Sequence, residues 1–266
     1  MSLRINTNIE AFNAHRQLAQ TSDRASKSME RLSSGYRINR AADDAAGLAI
    51  SEKLRGQIRG LAQAQRNAQD AVSLVQTGEG SLNEVHSMLQ RVRELAVQYQ
   101  NGTLSTSDKA AITAEAAQLS SEIERIGAGA DFNGIKLLDG TAGTISFQVG
   151  ANDGDVISVT TSTLTTQIGN IDITGTNAIS AIDAAIENVS TMRGQFGAVQ
   201  NRLEHTLNNL ATYQENLTAS ESRIRDVDMA SEMVEFSKDQ ILQQAGTSML
   251  AQANQAPQAV LSLLRG

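Results

Sequence analysis

Residues 45–99 read AAGLAISEKLRGQIRGLAQAQRNAQDAVSLVQTGEGSLNEVHSMLQRVRELAVQY. Leu54, Ile58, Leu61, Gln65, Ala68, Val72, Val75, Glu79 and Leu82 follow at steps of four and three, and Val85, Leu89, Val92, Ala96 and Tyr99 continue after one skipped step. That is the period of a helix packed lengthwise on other helices. The only proline is Pro257, so nothing interrupts the run, and at 1.5 Å per residue it makes one helix of roughly 80 Å. Such a helix outruns the core of a compact domain, so the rest of the chain must supply partners that lie beside it.

The first partner follows a polar break, Gln100-Asn101-Gly102-Thr103-Leu104-Ser105. Beyond it Ile112, Ala116, Leu119, Ile123 and Ile126 resume the rhythm. Pairing Ala96 with Ile112, Val92 with Ala116, Leu89 with Leu119, Val85 with Ile123 and Leu82 with Ile126 keeps the sum of residue numbers constant, as an antiparallel hairpin requires. A second long helix is carried by Ile179, Ile182, Ile186, Val189, Phe196, Val199, Leu203, Leu207, Leu210, Leu217, Ile224 and Val227. Between these helices the period drops to two. Ile145, Phe147 and Val149, then Ile157 and Val159, alternate around Gly150-Ala151-Asn152-Asp153-Gly154-Asp155 and predict one β-hairpin near 144–161 that must lean on the helices. Asp131-Phe132-Asn133-Gly134-Ile135 reads as a turn, and 162–176 as a Thr-rich irregular link. The fold class is mainly α, a long antiparallel coiled-coil rod with a small β-hairpin.

Both ends carry amphipathic stripes with no partner inside that rod. Ile5, Ile9, Phe12, Leu18, Ala25, Met29 and Leu32 form one, and Met229, Met233, Phe236, Ile241, Ala245 and Met249 the other. Helices of this kind draw most of their stability from packing, so the ends are expected to order when they meet each other or another copy. Val260, Leu261, Leu263 and Leu264, after Pro257, cannot all face one narrow seam and are expected to be buried between subunits.

Composition narrows the function. Tryptophan is absent and aromatic residues make up 3%, so small aliphatic residues must fill thin helix seams, which disfavours a thick enzyme core. The chain has no cysteine, hence no disulfide, thiol nucleophile or thiolate metal site. Its start lacks the apolar run of a secretory signal, and no stretch matches a membrane span. Residues 1–42 hold seven basic and three acidic residues, +4, which leaves −11 for the remainder of a chain at −7. A basic arm for nucleic acid or a membrane surface would read this way, but Glu10, Asp23 and Glu30 interleave the cations and no aromatic stacking set accompanies them.

No motif carries catalysis or a cofactor. His15, His86 and His205 lack partners at ligand spacing, and Thr77-Gly78-Glu79-Gly80-Ser81 lacks the Gly-Lys-Ser/Thr of a phosphate loop and reads as a small-residue packing point. Asn152-Asp153-Gly154-Asp155 suits a hairpin turn better than a calcium loop. Asp43-Asp44 has no neighbouring base or nucleophile and reads as a cap on the long helix.

Leu32-Ser33-Ser34-Gly35-Tyr36-Arg37-Ile38-Asn39 and Ala41-Ala42-Asp43-Asp44-Ala45-Ala46-Gly47-Leu48-Ala49-Ile50 closely resemble the amino-terminal signature of bacterial flagellin. Residues 240–255, QILQQAGTSMLAQANQ, resemble its carboxy-terminal signature, and Gly197–Leu203 and Ser222–Asp228 are also similar. Only a hairpin and a short link stand where larger flagellins carry outer domains, so the resemblance is to a minimal form. It implies a subunit that is exported by the type III apparatus with an export chaperone and polymerises under a cap protein into the extracellular filament. It also implies a division into an inner-core helix at 1–43, the first part of the rod at 44–176, a returning rod helix at 177–222 and a second inner-core helix at 223–266. Self-assembly would rest on Ile5, Ile9, Phe12, Leu18, Met29, Leu32, Met233, Phe236, Ile241, Met249, Val260, Leu261, Leu263 and Leu264. The segment 90–98 resembles the one read by the flagellin-sensing Toll-like receptor, which implies a surface patch of Arg91, Leu95 and Glu115. The rival readings are a hook-filament junction protein, which shares such ends, and a coiled-coil scaffold on a membrane surface.

Overall fold

The computed structural model describes residues 8–169 and 171–265, with side chains to residue 255. Ile5 and the side chains of Val260, Leu261, Leu263 and Leu264 lie outside that range. In chain order the elements are α1 (Ile9–Ser34), α2 (Ala45–Tyr99), α3 (Thr106–Gly129), β1 (Asp131–Phe132), β2 (Ile135–Lys136), β3 (Thr144–Gln148), β4 (Val156–Thr160), α4 (Leu164–Ile168), α5 (Ala178–Arg225) and α6 (Met229–Arg265). They form two compact units, one of residues 57–216 and one of the two chain ends, and α2 and α5 contribute to both.

In the 57–216 unit the single helix over 45–99 and its antiparallel return are as the periodicity predicts. Val92, Ala96, Ile112 and Ala116 share one buried cluster, and Leu82, Val85, Leu89 and Ile123 another, with Leu119 and Ile126 half-buried beside them. The α2 stripe differs in detail. Gln65, Val72 and Glu79 sit on its rim, while Ala64, Ala71 and Gly78 are buried in their place. Small residues let the neighbouring helix approach: a Cβ on Gly78 would lie 2.9 Å from Cε2 of Phe196. The Gly-Glu-Gly segment is therefore a packing point, and Glu79 pairs with Arg193 at 3.8 Å.

A capping box starts α3. The Ser105 hydroxyl accepts the Asp108 amide at 3.2 Å, and the Asp108 carboxylate accepts the Ser105 amide at 3.1 Å. The Ser105 hydroxyl also donates to that carboxylate at 2.7 Å, and this bond leads in holding the Asp108 carboxyl below its ordinary value. Asn133 and Gly134 both take positive φ, 52° and 81°, in the tight turn joining β1 and β2, which asparagine and glycine tolerate. The predicted hairpin forms, with Ile145 paired with Val159 and Phe147 with Ile157. Val149, Ile157 and Val159 are buried in the cluster that holds Ala68, Ala71 and Leu74, which seats the hairpin on α2.

The link 162–176 is more ordered than its composition implies. It contains α4, whose Leu164 is fully buried against Gly127 of α3, and Ile173 is buried beside Val92 and Ile182. Leu164, Ile168 and Ile173 anchor this strap, too few to produce a period in the sequence.

Candidate assembly surfaces and receptor patch

The terminal unit is built on α1 packed against α6. Asn8 Nδ2 donates to the Ala253 carbonyl at 2.7 Å, Leu18 lies against Gly246, and Arg31 meets Glu232 at 3.5 Å, so the two helices run antiparallel. The covered positions of α1 are Ala11, Ala14, Leu18, Thr21, Ala25, Ser28 and Leu32. Those of α6 are Glu232, Phe236, Asp239, Gln243, Gly246, Leu250 and Ala253. Both sets step by three and four, an uninterrupted heptad.

This corrects the stripes read from hydrophobicity. Leu18, Leu32 and Phe236 do face the seam, but most of the seam is small or polar. Ile9, Phe12, Met29, Met233, Ile241 and Met249 point away from it and are 49–69% exposed; Val234 at 67% and Leu242 at 44% are exposed as well. Phe12 also borders an open groove of about 440 Å³ with Asn8, Ala11, His15, Leu250 and Asn254. Isolated exposed apolar residues are ordinary, whereas here they form a set spread along both faces of a helix pair.

The linkers at the base of the pair clasp each other. Tyr36 and Asp226 form an antiparallel bridge, Arg37 N donates to the Arg225 carbonyl at 2.7 Å, and Val227 N donates to that of Gly35 at 3.0 Å. Gly35 ends α1 in the left-handed conformation, φ 74°, which a side chain would resist. The Arg225 guanidinium lies over the Tyr36 ring and reaches Glu52 at 2.7 Å, and that bond holds the Glu52 carboxyl below its ordinary value. The two aspartates before α2 divide their work. Asp44 caps the helix by accepting the Gly47 amide at 2.8 Å. Asp43 instead accepts the Asn39 and Arg40 amides and pairs with Lys27 at 2.7 Å, and the Lys27 bond leads in lowering its carboxyl to about 2.

In the other unit Arg91 donates to Glu115 at 2.8 and 3.0 Å and to Glu94 at 3.0 Å, all three about half exposed or more. Glu115 comes first among the causes that raise the Arg91 pKa. Extending the hairpin register of the apolar pairs, whose residue numbers sum to 208, sets Arg91 and Glu115, which sum to 206, almost level, and they touch. Leu95 does not join them on the surface. It is 1% exposed, packed among Val92, Ala96, Ile112 and Ile182, because α2 has helices on two sides and its apolar face is correspondingly wide. The surface patch is therefore Arg91, Glu94 and Glu115.

Among the described residues, no group of three or more His, Cys, Asp or Glu is placed to hold a metal ion, and no helix is long and apolar enough to cross a membrane. Residues 5–143 match the model of the bacterial flagellin N-terminal helical region, and residues 179–264 that of the C-terminal helical region. The chain belongs to the flagellin family. It is 58% identical to a flagellin of Halalkalibacterium halodurans over 98% of this chain and 99% of that protein, and 49% identical to one of Bacillus subtilis over 99% and 100%. The crystal structure of Bacillus cereus flagellin superposes with a TM-score of 0.51 at 34% identity, covering 55% of this chain and 88% of that one. This flagellin is thus a structural subunit of the flagellar filament, in the minimal form that its 266 residues allow. The hook-junction and membrane-scaffold readings give way to it.

Proposed function

We propose that this flagellin polymerises through the outward apolar face of its α1/α6 pair, with residues 1–43 and 223–266 forming the inner layer of the filament and 44–222 the layer around it. The carrying observation is the set Ile9, Phe12, Met29, Met233, Ile241 and Met249, each about half exposed or more on a helix pair whose own seam is already filled. Burial of one such side chain contributes about 1.5–3 kcal/mol, so a few of them suffice for a lateral contact repeated along a helix of subunits. The terminal group Val260, Leu261, Leu263 and Leu264 belongs to the same interface. On this reading the subunit is secreted, meets an export chaperone and a cap protein on its way to the extracellular filament, and performs no catalysis. Seeded polymerisation tests it: Ile241→Asp should abolish growth with the helical circular dichroism retained, and normal growth would refute it.

A second reading rests on the exposed Arg91–Glu115 pair. A host Toll-like receptor would read Arg91, Glu94 and Glu115 directly, with Leu95 acting from beneath by holding the helix surface in shape. In a filament this patch would be covered, so monomer should signal far better than filaments stabilised against dissociation. Equal signalling by the two would refute it.

A further inference from the structure

One buried group has no role in the assembly described so far. Asp239 is 4% exposed on the seam side of α6, level with Ala25 and flanked across the seam by Thr21 and Ser28, themselves buried. A buried carboxylate destabilises a helix pair unless its surroundings suit it, and a single polar seam position is a known means of fixing register. The seam shows what this one fixes. With Leu18 on Gly246, the same spacing sets Leu250 opposite Ala14, Phe236 opposite Ser28 and Asp239 opposite Ala25. The smallest slip that keeps the same faces together is one heptad. Slipped one way, Asp239 lies opposite Leu32; slipped the other way, it lies opposite Leu18. Either slip also sets Gly246 against an alanine, Ala25 or Ala11, and opens a hole in the seam.

We infer that Asp239 is the specificity-determining residue for the register of the α1/α6 pair, tolerated opposite the small Ala25 and rejected opposite leucine in both neighbouring registers. Register decides function here because a slip of one heptad, about 10 Å along the axis, would displace every exposed apolar residue of α6 relative to those of α1. Asp239 therefore gives up stability in the correct pair to exclude the wrong ones.

The absence of cysteine makes the test clean, since an engineered pair is the only disulfide possible. In the dilute full-length chain, Gln243→Cys is combined in turn with Ala14→Cys, Thr21→Cys or Ser28→Cys, which sit one heptad apart and report the three registers, and intrachain closure is followed under mild oxidation. With Asp239 in place, the Thr21 pair should close at least about tenfold faster than the other two. With Asp239→Leu, one or both slipped pairs should rise to within about threefold of it, and with Asp239→Asn the native preference should persist. Comparable closure of all three with Asp239 present would overturn the proposal, as would an unchanged preference in Asp239→Leu. Loss of helical circular dichroism in Asp239→Leu would overturn it too, because the aspartate would then be supplying stability rather than selectivity.

Discussion

Leu95→Ala separates support from contact in the receptor patch. Leu95 is 1% exposed and belongs to a cluster whose other members, Val92, Ala96, Ile112, Ala116, Ile173 and Ile182, are also buried. Truncating a leucine in such a site removes its transfer energy and leaves a cavity that rigid helices cannot fill, a loss of about 3–5 kcal/mol. For a unit of this size each kcal/mol moves the melting midpoint by about 2–4 °C, so a drop of roughly 6–20 °C is expected by calorimetry. Arg91→Ala breaks only exposed ion pairs and should leave the midpoint where it is. Receptor activation should then fall in both variants, at temperatures where Arg91→Ala is fully folded and Leu95→Ala is measurably less stable. A Leu95→Ala protein within about 1 kcal/mol of the parent in denaturant unfolding would refute the buried placement. Normal signalling by Arg91→Ala would refute direct reading of the patch.

Gly78→Ala places a methyl against the Phe196 ring and should cost about 1–3 kcal/mol, largely recovered by Phe196→Leu; additive losses in the double-mutant cycle would contradict that contact. Ser105→Ala removes the α3 cap and should destabilise by about 1 kcal/mol, with faster amide exchange confined to the first turn of α3. Because the Asp43 carboxyl is lowered from 3.8 to about 2, its contribution is complete above pH 4 and disappears as the pH falls through 2. Exchange at the Asn39 and Arg40 amides should therefore accelerate across that window in the parent protein and show no such step in Asp43→Asn. Deleting residues 257–266 should stop polymerisation and leave the helicity of the 57–216 unit intact; filaments from the truncated chain would count against a role for the terminal apolar group.

The α2–α3 hairpin was readable to the level of individual pairs because its seam is aliphatic and its period unbroken. Even the Arg91–Glu115 contact followed from that register. The α1/α6 seam was not readable in the same way. Its members, among them Ala11, Thr21, Ala25, Ser28, Asp239 and Gly246, are small or polar, so hydrophobic periodicity selected the large residues on the outer face. The signal that could have found it is a heptad of small residues on one helix matched by large residues on the other. Leu95 was misplaced because its position came from family resemblance, while the width of the apolar face of α2, flanked by partners on two sides, assigns it to the core. The strap through α4 escaped notice because Leu164, Ile168 and Ile173 stand too far apart among threonines to form a pattern.

Assembly through the outer face of the terminal helix pair is tested most directly by electron cryomicroscopy of filaments grown from the purified chain. The expected map shows a hollow tube with Ile9, Phe12, Met233, Ile241 and Met249 packed against neighbouring subunits and Leu18 on Gly246 within each subunit. Filaments in which those five side chains face solvent, or in which α1 pairs with α6 of a different subunit, would contradict it.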